Sequence, residues 1–461
     1  WLAEPFRKPV LDCIDGAGLV RDTDWAPGIN QSAPVQPLLM PGIASEGLED
    51  ILARAEAGEL LAEDEIIRLF RVRDWDFKLV TQAADRVRIR RSGDEVSYVV
   101  TRNINYTNVC YFKCRFCAFA KGKLSENLRG QPYDLGLDEV ARRAKEAWAR
   151  GASEVCMQGG IHPDYTGQNY LDILKTVKSA VPGMHVHAFS PLEIAQGAAT
   201  LDVSIPEFLQ QLKATGLGTL PGTAAEILDE EVREVLCPDK LTTDQWLDVV
   251  RMAHQAGFKS TATIMFGHID GYQHWARHLL RLRALQQETG GFTELVPLPF
   301  VHMEAPIYLQ GRARRGPTWR ETLLMHAVAR LVLNGVIDNI QVSWVKLGKA
   351  GASQALRAGA NDLGGTLMNE TISRAAGADF GEELPSVEME ALIRAAGRLP
   401  RQRQTDYSTA DPDQRVKSFG NSLLSPVVNA PARRYERDQR PERLVRPALD
   451  GLVQGEMTGA D

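Results

Sequence analysis

From residue 97 onward the sequence alternates short β-rich apolar runs with longer stretches of helical periodicity, a pattern that restricts this part of the chain to parallel βα units. Eight runs qualify as strands: 97–105, 154–158, 185–190, 218–222, 260–267, 292–297, 340–345 and a weak last one at 359–365. Between them lie helical segments at 138–150, 170–180, 205–215, 243–256, 275–288 and 319–334. The span is close to the roughly 250 residues of a (β/α)8 barrel, so an α/β fold with a closed TIM-type barrel is favoured over an open sheet. Catalytic groups on such a barrel belong to the loops that follow the strands. With 461 residues, 44% of them hydrophobic, the chain can bury one large core and carry appendages.

The flanks read differently. Residues 1–44 are punctuated by Pro5, Pro9, Pro27, Pro34, Pro37 and Pro41 and by four glycines, which suits a linker or wrapped arm. Three helices are expected over 45–95: Leu48, Ile51, Leu52 and Ala55 share a face, Ile66, Ile67, Leu69 and Phe70 follow, and 75–90 forms the third. The barrel should occupy 96–400, with a late helix at 387–396. Residues 401–461, rich in Arg, Asp, Pro and Gln, are expected to be a mostly disordered tail, and truncation after Tyr407 to preserve turnover.

Lys and Arg total 53 against 59 Asp and Glu, and the net charge of −6 gives no whole-chain attraction to nucleic acid or to an anionic membrane. Arg433, Arg434, Arg437, Arg440 and Arg443 are interrupted by acidic residues and read as a solvated tail rather than an RNA site. No apolar run approaches the roughly 20 residues of a membrane span, and no secretory signal is visible. Of six cysteines, three fall within eight positions, which points to a reducing, cytoplasmic setting and a metal site rather than a disulfide framework.

Those three lie in Asn103-Ile-Asn-Tyr-Thr-Asn-Val-Cys110-Tyr-Phe-Lys-Cys114-Arg-Phe-Cys117, directly after the first expected strand and so at the barrel mouth. Three cysteines on a four-iron cluster leave one iron without a protein ligand, a corner that the amino and carboxylate groups of S-adenosylmethionine (SAM) can chelate. The C-x3-C-x2-C spacing, with Phe116 just before the third cysteine, resembles the radical SAM signature. The competing reading from a different class is a zinc-stabilised binding module. Zinc asks for four closed ligands, however, and no fourth Cys or His lies in the next 30 residues. Cys13, Cys156 and Cys237 carry no such spacing and read as ordinary thiols.

The radical SAM resemblance implies a [4Fe-4S] cluster on Cys110, Cys114 and Cys117, and SAM as cofactor. It also implies that Gln158, Gly159 and Gly160, ending the second strand, meet the methionine end of SAM, although a plain βα turn needing glycine is an alternative. Ser190 and Glu193 after the third strand and Glu226 after the fourth stand where that family binds the amino acid and ribose hydroxyls, with helix capping or a solvent-facing carboxylate as alternatives. His185 and His187 share one strand face and read as interior histidines.

Four motifs occur in order: Arg102 to Cys110, Gln158-Gly-Gly-Ile-His162-Pro, Gly222-Thr-Ala-Ala-Glu226-Ile-Leu, and Gly359-Ala-Asn-Asp-Leu-Gly-Gly365-Thr. Together with Arg401-Gln-Arg-Gln-Thr-Asp-Tyr407 they resemble the 4-hydroxybenzyl-transferring component of FO synthase, the CofH family, over about residues 43–407. The futalosine radical SAM enzymes of menaquinone synthesis share the cysteine loop and much of the barrel.

The CofH resemblance implies L-tyrosine and 5-amino-6-(D-ribitylamino)uracil as substrates, an electron donor, and a deazaflavin ring-closing radical SAM domain, fused or separate. The implied reaction abstracts a hydrogen from tyrosine, breaks its Cα–Cβ bond with release of 2-iminoacetate, and adds the 4-hydroxybenzyl fragment to carbon 5 of the uracil. No side chain is assigned a catalytic role, because the cofactors carry the hard chemistry. Asn103 and Asn105 from strand one, His302 after strand six, and Asn361 and Asp362 after strand eight are candidates for substrate contact. Residues 1–41 also resemble the joint between the halves of fused FO synthases. With Trp1 rather than Met at its start, the chain is expected to be the second half of a longer protein.

Overall fold

The computed structural model describes residues 4–35, 41–120, 131–420, 422–430 and 432. Its centre is a ring of parallel strands. These are β1 (Glu95–Val99), β2 (Thr101–Ile104), β3 (Glu154–Met157), β4 (His185–Ala188), β5 (Thr219–Leu220), β6 (Lys259–Phe266), β7 (Phe292–Pro299), β8 (Asp362–Gly365) and β9 (Leu399–Arg403). β2 to β7 form a six-stranded sheet in chain order, while β8 and β9 flank β1. Parallel bridges from Leu295 to Ile340 and from Gln341 to Asp362 join β7 to β8, so the sheet closes on itself. β1 and β2 are one extended run interrupted at Val100. The first half pairs with β8 and β9 and the second with β3, so one stretch of chain closes the ring. Helices such as Leu137–Ala149, Gly167–Ala180 and Trp319–Val332 cover the outside, and strands such as β6 are accordingly buried almost throughout.

The seventh expected strand is corrected. Only Ile340 and Gln341 bridge neighbours, and Ser343 already precedes the helix Trp344–Ala355. Val342 and Val345 give the segment strand propensity, but closing the ring takes two residues, each bonded to a different neighbour.

The expected tail begins inside the fold, because residues 399–403 pair with β1 and the chain then turns beneath the N-terminal ends of the strands. There Arg403 donates to Asp362 (2.7 Å), lies 3.9 Å over the Tyr407 ring and approaches Glu294 at 3.4 Å, while the Tyr407 hydroxyl donates to Glu294 at 2.7 Å. Thr405 bonds Glu154. His185 and His187 both meet the Thr219 hydroxyl, at 2.8 and 2.7 Å, so both are satisfied interior histidines. The composition of 401–407 suggests disorder, yet these polar side chains are inside because they neutralise one another. The helix Pro412–Ser418 follows and lies so close to Gly151 that a Cβ there would stand 2.4 Å from Gln414 O. The arginines at 433–443 lie outside the described residues.

Residues 13–35 lie against the opposite, C-terminal side of the ring. Asp15 accepts from Arg73 (2.7 Å) and Arg320 (2.9 Å), Trp25 packs edge-on against Trp319, and Gly28 N donates to Lys346 O at 2.8 Å. No helix among the described residues is long and apolar enough to cross a membrane.

Candidate active site

The loops at the C-terminal ends of β2 to β5 converge on one cavity of about 250 Å³. The loop after β2 contributes Cys110, Cys114, Phe116 and Cys117, that after β3 Gln158, Gly159 and Gly160, that after β4 Ser190 and Glu193, and that after β5 Glu226. Every residue that the sequence assigns to the cluster or to SAM therefore lines the same space.

Backbone bonds hold the cysteine loop in place: Gly160 N donates to Thr107 O (2.8 Å), Tyr111 N to Ile161 O (3.1 Å) and Arg115 N to Leu236 O (2.9 Å). The two glycines are demanded by close approach and not by a left-handed backbone, for neither has positive φ. A Cβ on Gly160 would stand 2.3 Å from Val109 O and 2.9 Å from Cys110 Cβ, and one on Gly159 would stand 2.3 Å from the Tyr106 ring. By contrast, Phe189 (φ 61°), Ala224 (φ 65°) and Glu226 (φ 47°) are non-glycine residues held in the left-handed region beside the cavity. Such strain costs roughly 1–3 kcal/mol per residue and collects at functional sites.

Burial pushes the Cys110 thiol up to about 11 and raises Cys114 further, with neighbouring thiols adding to both. Loading a metal centre must therefore displace protons from these two. The three sulfurs do not fall among the groups of donors all within 4.8 Å of one another. Tetrahedral zinc, with Zn–S near 2.3 Å, would draw its sulfurs to about 3.8 Å. The C-x3-C-x2-C loop offers three thiols and suits a polynuclear cluster with an open corner, and Cys237, from another segment, lies near enough to Cys114 to act on it electrostatically. The one such compact donor group among the described residues is Asp229, Glu231 and His274, where Asp229 is already faced by Arg277 and Arg281.

Glu193 does two jobs. It completes a capping box with Ser190 for the helix Pro191–Thr200, accepting from Ser190 N (2.7 Å) and Oγ (2.6 Å). Its other oxygen accepts from Gly159 N (3.2 Å) and the Tyr106 hydroxyl, which ties the glycine pair to the helix. Burial raises its pKa. Glu226 accepts from Lys240 at 2.7 Å, and that lysine also lies 5.1 Å from the Phe116 ring. Burial opposes the Lys240 charge, but Cys114, Glu226 and Cys237 outweigh it and raise its pKa.

The substrate candidates separate. Asn103 Oδ1 and Asn105 Nδ2 are buried without a partner among the described residues, so each retains bonding capacity, but neither residue is in the cavity lining. His302 follows the lining residue Val301 but is not itself in the lining; it packs against Tyr308, which lies under Lys8 of the helix Glu4–Cys13, and burial lowers its pKa to about 4. Asn361 and Asp362 are corrected. They enter β8 rather than follow it, and so sit at the N-terminal end, away from the cavity. Asn361 is used by Arg330, Ile340 N, Ser92 and Asn339, and Asp362 by Arg403, Ser97 and Gly364 N. Sequence reading missed Lys240, Lys346 and Ser373 in the lining, together with an apolar wall that includes Met265, Leu298 and Phe300. Lys346 follows the segment read as a strand, and no spacing pattern marks either lysine.

Two family models match the chain: the Radical SAM superfamily over residues 104–282 and the CofH/MqnC C-terminal region over 289–416. The 5-amino-6-(D-ribitylamino)uracil--L-tyrosine 4-hydroxyphenyl transferase of Methanopyrus kandleri is 50% identical over 328 residues, covering 71% of this chain and 88% of that protein. The FO synthase of Streptomyces avermitilis is 49% identical over 387 residues, or 83% of this chain and 44% of the relative, so the chain spans less than half the length of such synthases. Among solved structures, the [FeFe]-hydrogenase maturase HydG (TM-score 0.60, 16% identity, 78% of this chain and 77% of that one) has the same fold. So does methylornithine synthase PylB (TM-score 0.57, 18% identity, 76% and 97%).

Proposed function

The chain belongs to the CofH family of radical SAM proteins, and from that membership we propose that it joins the 4-hydroxybenzyl group of L-tyrosine to carbon 5 of 5-amino-6-(D-ribitylamino)uracil. What supports this reading most directly is similarity along nearly the whole of a relative named for that transfer, in a chain whose three cysteines and glycine pair line one cavity. Cys110, Cys114 and Cys117 would hold the [4Fe-4S] cluster, with Gln158, Gly159, Gly160, Ser190 and Glu226 toward SAM. When bound, cluster and SAM supply reductive cleavage of the sulfonium and with it a hydrogen-abstracting radical.

The chain's own work is positioning and exclusion. Glu193 holds the Gly159 amide and the Tyr106 hydroxyl, so the floor of the site is fixed from beneath. Lys240 sets the direction of the Glu226 carboxylate. The wall of Met265, Leu298 and Phe300 keeps water and competing hydrogen donors away. Asn103 and Asn105, each with an unused polar atom, suit the uracil edge and ribityl chain. An electron donor would serve the cluster, and a ring-closing radical SAM domain, fused or separate, would consume the product. A reducing, cytoplasmic setting would suit three clustered thiols on one loop.

The test is to supply reduced, reconstituted protein with SAM, tyrosine and the aminouracil, and separately with a futalosine-type substrate. The expected products are 5'-deoxyadenosine and a hydroxybenzylated uracil that carries label from the tyrosine ring and Cβ, while the Cα label leaves with 2-iminoacetate. Turnover of the futalosine substrate with no tyrosine consumed would assign the chain to the menaquinone branch instead.

A further inference from the structure

Two lysines line the cavity among the described residues, and their surroundings differ. Lys240 has a carboxylate at 2.7 Å. Lys346 donates to the Ser373 hydroxyl at 2.7 Å, and no described carboxylate oxygen lies within the 4.0 Å of an ion pair. Glu370, the acid that acts on it electrostatically, has both oxygens on Ser373 N, at 2.9 and 3.1 Å. A half-buried lysine ammonium that lines a cavity with a hydroxyl but no counterion beside it offers its charge to an anion that arrives with a ligand.

Position narrows which anion. Lys346 stands on the helix Trp344–Ala355, inserted between β7 and β8, whereas the residues read as meeting SAM follow β3, β4 and β5 on another arc of the ring. Phe300, Val301, Ile372 and Ala376 line the same cavity and offer apolar surface for a ring. Gly28, held to the Lys346 carbonyl, packs against Val301 and Ala378 and so closes the space behind the lysine.

We propose that Lys346, oriented by Ser373, is the anchor for the α-carboxylate of the amino-acid substrate, a refinement that rests on the tyrosine reading above. Burial pulls the lysine's pKa down, with Glu370 opposing, and an incoming carboxylate would favour its charged form. The lysine then fixes one end of the amino acid while its aromatic end is held by shape.

The test is equilibrium binding of labelled L-tyrosine and of tyramine, which lacks the carboxylate, to cluster-loaded enzyme with SAM and the aminouracil but no reductant. Wild type should prefer tyrosine about tenfold to a hundredfold, as a charge-assisted bond to a half-buried lysine implies. Lys346→Met should erase that preference and leave SAM affinity and iron content unchanged, whereas Lys346→Arg should keep most of it. Equal binding of tyrosine and tyramine by wild type overturns the inference whatever the variants do. So does an intact preference in Lys346→Met, or a loss of SAM affinity in its place. Failure of wild type to bind tyrosine at all, with SAM bound normally, sinks the tyrosine reading itself, and the anchor falls with it.

Discussion

Substituting Gly160 by alanine tests whether the cysteine loop is placed by steric contact with the next βα loop. The added Cβ would meet Val109 O at 2.3 Å and Cys110 Cβ at 2.9 Å, so one of the two loops must give by most of an ångström. The neighbour is backbone, which cannot rotate away as a side chain would. Overpacking of this kind costs about 1–3 kcal/mol. Across 461 residues the unfolding entropy is about 1 kcal/mol/K, taken at roughly 2.1 cal/mol/K per residue, so the melting temperature should fall by only about 1–3 °C.

Iron should respond far more. A metal site loosened by about 1 Å fails even in an intact scaffold, so iron per chain after anaerobic reconstitution should drop from about four to below two. Gly397→Ala supplies the control. That glycine has φ +77° and nothing within 4 Å of a built Cβ, so alanine there adds backbone strain of about 1–2 kcal/mol far from the cysteines. The two variants should melt alike and differ in iron. Full iron and normal SAM cleavage in Gly160→Ala would refute the steric argument, and equal iron loss in both would show that general destabilisation is the cause.

Arg403→Met should cost about 3–5 kcal/mol in thermal unfolding, because Asp362 and Glu294 lose their shared cation, yet it should leave iron content intact. Adding Asp362→Asn should recover part of the loss. Truncation after Tyr407 should destabilise the fold, because it removes Gln414, which bonds Ala152 O at 3.1 Å, and Arg415, which bonds Glu390 at 2.8 Å. Unchanged melting would show that the helix Pro412–Ser418 contributes nothing. Burial, opposed by Arg403 and reinforced by Asp362, raises Glu294 to about 7. The native state therefore holds a proton that the unfolded chain gives up between about 4.5 and 7, and this group's contribution is lost as pH rises through that window. Relative to wild type, Glu294→Gln should gain on the order of 3 kcal/mol from pH 4.5 to 7.5, and parallel stability curves would exclude the assignment.

Strand and helix alternation made the barrel legible because each βα unit writes its own periodicity. The three cysteines were legible because one short loop carries them all. What was not legible depends on contacts between distant segments. Ser190 and Glu193 look the same in sequence whether they cap a helix or line a cavity, and here they do both. The glycine pair invites an explanation by backbone freedom, but the reason is a Tyr106 ring and a Val109 carbonyl brought in from another loop. Arg403 and Tyr407 look like surface residues until the chain turns them beneath the barrel, where each supplies what the other side chains lack. Lys346 lay hidden because a two-residue bridge and a helix start resemble a strand.

The two ends of the ring treat charge in opposite ways, and this bears on what the family motifs mean. At the N-terminal end Arg403 is matched by Asp362 and Glu294, Tyr407 by Glu294, and Thr405 by Glu154. Asn361 makes four bonds beside them, so the main charged groups of this end are matched to one another. At the C-terminal end Lys346 has a hydroxyl but no described counterion, Asn103 Oδ1 and Asn105 Nδ2 have no described partner, and two thiols are held protonated by burial. Unmet polar groups cost stability, so they persist where binding makes use of them. The segments at 359–366 and 401–407 therefore serve this chain as the plug that closes its barrel, and substitutions there should alter stability at unchanged substrate selectivity. Selectivity in this chain should come from the other end, where Lys346, between β7 and β8, lines the same cavity as the cysteine loop.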